Sequence, residues 1–253
     1  MTKIISSSVV LTVAIVGSAA AQAQNLVDLY TLQNGSLADS VGSHPLVNNY
    51  GATTGPGFLN FGFGDGPALA VDPSLAGNYT IGLYFSLTNP EGINNPWVSI
   101  VNFSDLQSDA NNQYLYGGQP TFFGQTSPSA DTVSANTPAL FFITRDGNSY
   151  NSYLNGVLEN SFSTVANPAG TADVVGGLAV FQLFHDDNEL GNVENSAGTL
   201  YGAAVWDAPL SQQQIEQFNQ LVGISVPDQG SLTSVWLAVL GVMGWLGQRS
   251  RKG

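Results

Sequence analysis

The stretch Ala139-Leu-Phe-Phe-Ile-Thr-Arg-Asp-Gly-Asn-Ser-Tyr-Asn-Ser-Tyr-Leu-Asn-Gly-Val-Leu-Glu-Asn-Ser-Phe162 decides the fold. Its β-branched and aromatic runs are broken twice, at Asp146-Gly147 and Asn155-Gly156. Both dipeptides supply the positive-φ residues that tight turns between twisted strands need. The stretch therefore predicts a three-strand antiparallel meander, with Phe142, Tyr153 and Phe162 directed inward.

The same period of two extends outward in both directions. From Asn78 to Leu87, residues Tyr79, Ile81, Leu83, Phe85 and Leu87 alternate with smaller or polar neighbours, so they share one face of a strand and form core. Trp97 to Phe103, Tyr114 to Tyr116 and Thr121 to Phe123 read as further strands, the last two separated by a turn at Gly117-Gly118. Later strands run through Leu178, Val180 and Gln182, and from Thr199 to Trp206. Short strands punctuated by Gly, Pro, Asn and Asp predict an all-β sandwich or barrel. The close is different: Ser211 is a helix N-cap candidate, and Leu210, Ile215, Phe218 and Leu221 recur at helical spacing, so one short amphipathic helix ends the domain.

The ends set the domain limits. One cation in Met1-Thr2-Lys3, an apolar stretch Ile4 to Ala20 and the A-x-A pattern Ala21-Gln22-Ala23 predict a secretory signal peptide over 1–23. The β domain then occupies 24–225. It contains no cysteine, so its core, and any bound ion, must hold it together. The whole chain carries a net charge of −13, and Arg145 is the sole Lys or Arg between 24 and 225. Phosphate backbones are bound by clusters of cations, so nucleic acid is excluded as a partner. Arg145 itself, beside Asp146, is expected to pair with a carboxylate.

Several of these segments together resemble a family. Asp28-Leu-Tyr-Thr-Leu with Ser36-Leu-Ala-Asp-Ser-Val-Gly42, then Thr144-Arg145-Asp146 followed by Tyr153-Leu-Asn-Gly156, then Val205-Trp206-Asp-Ala-Pro-Leu210-Ser211, are similar in order and spacing to laminin-G-like domains. Bacterial members carry a phenylalanine-x-aspartate-aspartate stretch followed by glutamate, serine and glycine; Phe184-His185-Asp186-Asp187, Glu194, Ser196 and Gly198 match it. The resemblance implies a concanavalin A-like jelly roll of two antiparallel sheets. It also implies glycan or protein binding, or a structural role in a surface protein.

Chemistry concentrates in Phe184-His-Asp-Asp-Asn-Glu-Leu-Gly-Asn-Val-Glu-Asn-Ser196. Asp186, Asp187, Glu189 and Glu194 offer several oxygens on one loop, a composition suited to Ca²⁺, and Asp109 in a second Asp/Asn-rich loop is a remote candidate ligand. The spacing is not that of an EF-hand. Without Cys, and with only His44 and His185, no soft-metal set is available. Trp97, Tyr114 and Tyr116, with Phe123, are candidate sugar-stacking residues, although each also suits core packing. No E-x-D-x-x-E set lies on a strand and no G-x-S-x-G turn accompanies either histidine, so a non-enzymatic protein is expected. A polysaccharide-active hydrolase or lyase, or a passive matrix protein, remains the alternative.

The last residues give an address. Val226-Pro227-Asp228-Gln229-Gly230 precedes an apolar run over 231–247 and the basic residues Arg249, Arg251 and Lys252. The run reaches the short limit for a membrane helix, and the basic end orients it toward the cytoplasm. The order of motif, span and basic cluster over 226–253 resembles the VPD variant of PEP-CTERM sorting signals. That resemblance implies an exosortase partner, transient insertion in the inner membrane of a Gram-negative bacterium, and delivery to the cell surface or extracellular polysaccharide matrix.

Overall fold

In this computed structural model the described residues are 24–48, 50–70, 75, 77–103, 106, 111–163, 180–186 and 194–224. They form fourteen strands and one α-helix. In chain order these are β1 (Leu26–Tyr30), β2 (Leu46–Val47), β3 (Thr53–Gly55), β4 (Phe58–Phe61), β5 (Ala68–Ala70), β6 (Asn78–Leu87) and β7 (Trp97–Asn102). There follow β8 (Asn112–Tyr116), β9 (Gln119–Phe122), β10 (Ala139–Asp146), β11 (Ser149–Leu154), β12 (Val157–Ser163), β13 (Val180–Leu183), β14 (Gly198–Trp206) and α1 (Gln212–Ile224). The sorting-signal residues Val226, Pro227, Asp228 and Gly230, the apolar run and the leader all lie outside the described residues. Within them, no helix is long and apolar enough to cross a membrane.

The strands build two antiparallel sheets, as a jelly-roll sandwich requires. One has eight strands in the order β12-β11-β10-β6-β14-β4-β3, with β1 sharing the β4 edge of β14; the other has six, ordered β2-β5-β13-β7-β8-β9. The predicted meander is β10-β11-β12. Its second turn is the expected one, Asn155-Gly156, with φ of 50° and 86°. The first is displaced by one residue: Asp146 pairs with Ser149, so the central residues are Gly147 and Asn148, and Gly147 alone takes positive φ.

Tyr79, Ile81, Leu83, Phe85 and Leu87 of β6 do face the inter-sheet core, packed with Phe103, Phe122, Phe141 and Phe181. The inward assignment of Phe142 and Tyr153 needs correction. Both belong to a second cluster with Tyr84, Trp206, Leu210, Ile215 and Phe218, on the other face of the eight-stranded sheet beneath α1. The period of two forces this: Phe141 and Ile143 take the core side, so Phe142 must take the opposite one. Phe162 does pack on the main core, its ring 4.8 Å from Tyr150 and 4.9 Å from Phe122.

Gly82 makes room for the outer cluster, because a Cβ there would lie 2.7 Å from the Phe142 ring and 3.2 Å from that of Trp206. The helix that covers them starts at a capping box. Gln214 N–H donates to Ser211 Oγ at 3.4 Å, and Gln214 Oε1 accepts from Ser211 N–H at 2.9 Å.

Candidate functional site

On β7 and β8, alternate residues point away from the core. Trp97 pairs with Tyr116 and Ser99 with Tyr114, which sets all four on the outer face of the six-stranded sheet. Trp97 is the hub of an aromatic cluster: its ring centroid lies 5.4 Å from Tyr114, 4.8 Å from Tyr116 and 5.5 Å from Phe123, each edge-on. Tyr114 is fully buried and Tyr116 is 40% exposed. The three aromatics picked from sequence thus form one cluster with two roles, Tyr114 as support and Tyr116 as open surface.

The acidic loop is anchored to this same face. The Tyr114 hydroxyl donates to Asp186 Oδ1 at 2.6 Å, and Asn112 Nδ2 approaches the same oxygen at 3.4 Å. Asn195 Oδ1 accepts the Asp186 N–H at 2.8 Å, and Ser99 Oγ donates to the His185 carbonyl at 3.0 Å. At the far end of the loop Asn95 Nδ2 donates to Glu194 Oε1 at 2.6 Å, while the Ser99 N–H donates to the Glu194 carbonyl at 2.9 Å. Asp186 and Glu194 are 1% and 5% exposed, so the two carboxylates are buried anchors and not part of an open acidic surface. The chain enters the loop through Phe184, whose φ of 51° is a costly conformation for a bulky residue. Stacking on Phe61 at 4.5 Å holds it there.

Asp187, Glu189 and Asp109, the other candidate calcium ligands, lie outside the described residues. The oxygens of Asp186 and Glu194 just named already accept protein hydrogen bonds. A cation at this loop would share them with those donors or draw its remaining oxygens from 187–193. Arg145, expected in an ion pair, is buried, and its Nε donates to the Gly147 carbonyl at 2.6 Å.

A second polar cluster escaped the sequence reading. Asp28, Asp39 and His44 present ligand-type atoms within 4.8 Å of one another, with His44 Nδ1 2.9 Å from Asp28 Oδ1. Asp39 is already committed: its oxygens accept the N–H groups of Leu29 at 2.9 Å, Val41 at 3.0 Å and His44 at 3.3 Å. Burial tends to raise its pKa, but the backbone donors of Leu29, Val41 and Gly42 bring it below the usual carboxylate value. Gly42 occupies the space between the acids, since a Cβ on it would lie 2.4 Å from the Val27 carbonyl oxygen, 2.5 Å from Asp39 Oδ2 and 2.8 Å from Asp28 Oδ1. The cluster is a latch fixing the loop after β1. Desolvation raises the Asp28 pKa to about 6, against the pull of His44. The one local clue was Asp39 within Ser36 to Gly42, a turn-forming composition.

No protein-family model and no curated protein matches the sequence. Solved structures do match the fold. A sialidase from Trypanosoma rangeli aligns over 77% of this chain and 32% of its own, at TM-score 0.56 and 16% identity. The binding domain of botulinum neurotoxin serotype D aligns over 77% and 51%, at 0.55 and 12%. A serotype D ligand-binding domain solved in complex with N-acetylneuraminic acid aligns over 77% and 50%, at 0.56 and 14%. The chain spans about a third to a half of the length of these proteins. At such identities the likeness shows the fold alone, a jelly-roll β-sandwich.

Proposed function

We propose that this chain is an exported, non-enzymatic surface protein whose sandwich binds a neutral glycan on the outer face of the six-stranded sheet. The observation that carries the reading is the cluster of half-buried Trp97 and Phe123 with exposed Tyr116 on that face, packed on Tyr114, whose hydroxyl donates to buried Asp186. Aromatic faces offer apolar area to the C–H faces of sugar rings, and amides and carboxylates at the rim serve their hydroxyls. The fold neighbours support a glycan as the ligand class, since one is a sialidase and another was solved with N-acetylneuraminic acid.

An acidic sugar is disfavoured here. The chain carries a net charge of −13, and the only Lys or Arg among the described residues, Arg145, is 4% exposed. A sugar carboxylate would meet repulsion without a guanidinium to receive it. Glycosidase chemistry is disfavoured too, because it needs two carboxyl groups roughly 5 to 9 Å apart and open to the bond, whereas Asp186 and Glu194 are buried.

Calcium at the loop 186–194 is part of the proposal, resting on its oxygen-rich composition. Export, processing by an exosortase and residence at the cell surface or polymer matrix rest on the two chain ends. The test is equilibrium dialysis of the full chain, in a detergent without sugar headgroups, against laminarihexaose, cellohexaose, mannohexaose and sialyllactose. At least one neutral hexasaccharide binds, sialyllactose does not, and Trp97→Ala weakens binding tenfold or more. Shortened oligosaccharides in the dialysate, or binding indifferent to Trp97→Ala, would reject the reading.

A further inference from the structure

The helix α1 covers only part of the sheet face on which it lies. It seals the apolar cluster around Phe142, Tyr153 and Trp206, but the polar rows of the same strands continue past its first turn. Thr144 pairs with Asn151 and Asp146 with Ser149, which places these four side chains on the Phe142–Tyr153 side of β10 and β11. Between them and the start of α1 lies a cleft of about 640 Å³, within the range of small-molecule sites.

One wall of the cleft is prearranged. Gln24 Nε2 donates to the Pro209 carbonyl at 2.8 Å, Gln214 Nε2 donates to Gln24 Oε1 at 2.5 Å, and Ser211 Oγ donates to Gln214 Oε1 at 2.9 Å. Both amides are thereby locked in orientation. Gln213, Gln217, Ser149 and Asp146 also line the cleft, together with Thr144 and Asn151, whose amide donates to the Thr144 hydroxyl at 3.5 Å. Leu210 and Tyr153 form an apolar floor. A rigid amide wall opposite further amides and hydroxyls offers donors and acceptors side by side, the pattern that pairs with vicinal hydroxyls. Asp146 is the single formal charge in the lining, so neither an anion nor a polycation is matched.

We infer that this cleft between α1 and strands β10 and β11 is a second saccharide subsite, taking two or three units of a neutral glycan. The inference rests on the neutral-glycan reading but not on the Trp97 face, which belongs to the other sheet. Two subsites on opposite sheets would let one copy bridge two glycan strands.

The test is equilibrium dialysis of the full chain against laminaritriose, cellotriose and mannotriose, comparing wild type, Trp97→Ala and the double variant Gln213→Ala/Gln217→Ala. Alanine preserves helix propensity at exposed Gln213 and half-buried Gln217, and an unchanged thermal midpoint confirms that the double variant folds. Wild type binds two equivalents. The double variant retains the Trp97-dependent one and loses the other, with at least a tenfold drop in affinity. Ser149→Trp, which fills the cleft from the sheet side, gives the same loss without touching the helix. If Gln213→Ala/Gln217→Ala and Ser149→Trp both bind as wild type does, the cleft is no subsite while the Trp97 reading stands. Loss confined to the cleft variants, with Trp97→Ala unaffected, would overturn the aromatic-face reading and keep the cleft. No triose binding by wild type overturns the cleft subsite, and no binding of the hexasaccharides either overturns both readings.

Discussion

The hydroxyl of Tyr114 donates to the buried Asp186 Oδ1 at 2.6 Å, joining residues 72 apart in sequence. This bond fastens the entrance of the acidic loop to the strand that carries the aromatic cluster. Tyr114→Phe removes the donor and leaves a buried acceptor with one partner fewer, at a cost of about 1 to 3 kcal/mol. Chemical denaturation measures the loss. Limited proteolysis reports whether the loop 187–193 becomes more accessible with it, as the anchor role requires.

Gly82 sits under the rings of Phe142 and Trp206, and a methyl group there overlaps the first at 2.7 Å. Gly82→Ala therefore destabilises by roughly 1 to 3 kcal/mol, as overpacking does, despite the better strand propensity of alanine. A lowered thermal midpoint with unchanged glycan affinity at the Trp97 face is the expected result, because the strain falls on the opposite sheet. No loss of stability would mean that the rings and α1 shift freely.

Stability should fall as pH rises from about 4 to 7 through the latch after β1. Asp28 has its pKa raised from 3.8 to about 6, chiefly by desolvation, so the folded state holds a proton that the unfolded chain has released. The stabilisation is complete below about pH 4 and is lost as pH passes 6, up to roughly 3 kcal/mol at one pKa unit per 1.36 kcal/mol. Asp39 acts in the opposite sense: its lowered pKa gives stability above the ordinary carboxylate range that fades in stronger acid. Urea denaturation from pH 4 to 7 should show the decline in wild type and a flatter profile in Asp28→Asn. An equal decline in both would assign it elsewhere.

Calcium added to chelator-stripped protein should raise the thermal midpoint, since an ion that binds only the native state stabilises it by mass action. Magnesium, which needs tighter octahedral geometry, should raise it less. The absence of any shift would remove the loop 186–194 from consideration as an ion site.

In a host bearing an exosortase, the wild-type chain should lose its final segment near Val226 to Gly230, and a Pro227→Ala/Asp228→Ala variant should keep it. Intact-mass measurement of the exported protein separates the two. Retention of the tail by wild type would leave 231–247 as a plain anchor.

The sequence by itself determined what depends on neighbours along the chain. Alternation in Asn78 to Leu87 identified the core face of β6, Asn155-Gly156 identified a hairpin, and Ser211 identified the start of α1. These are properties of period, φ preference and capping, each settled within a few residues. It also gathered candidate aromatics and acids, but as two unrelated lists. Only the tertiary structure decided that Trp97, Tyr114, Asp186 and Glu194 meet on one sheet face, that Phe142 and Tyr153 serve α1 instead of the inter-sheet core, and that His44 closes on Asp28. Register and sheet order set those contacts, through residues far apart in the chain. A strand's pattern says which side chains share a face, and it does not say what lies across from them.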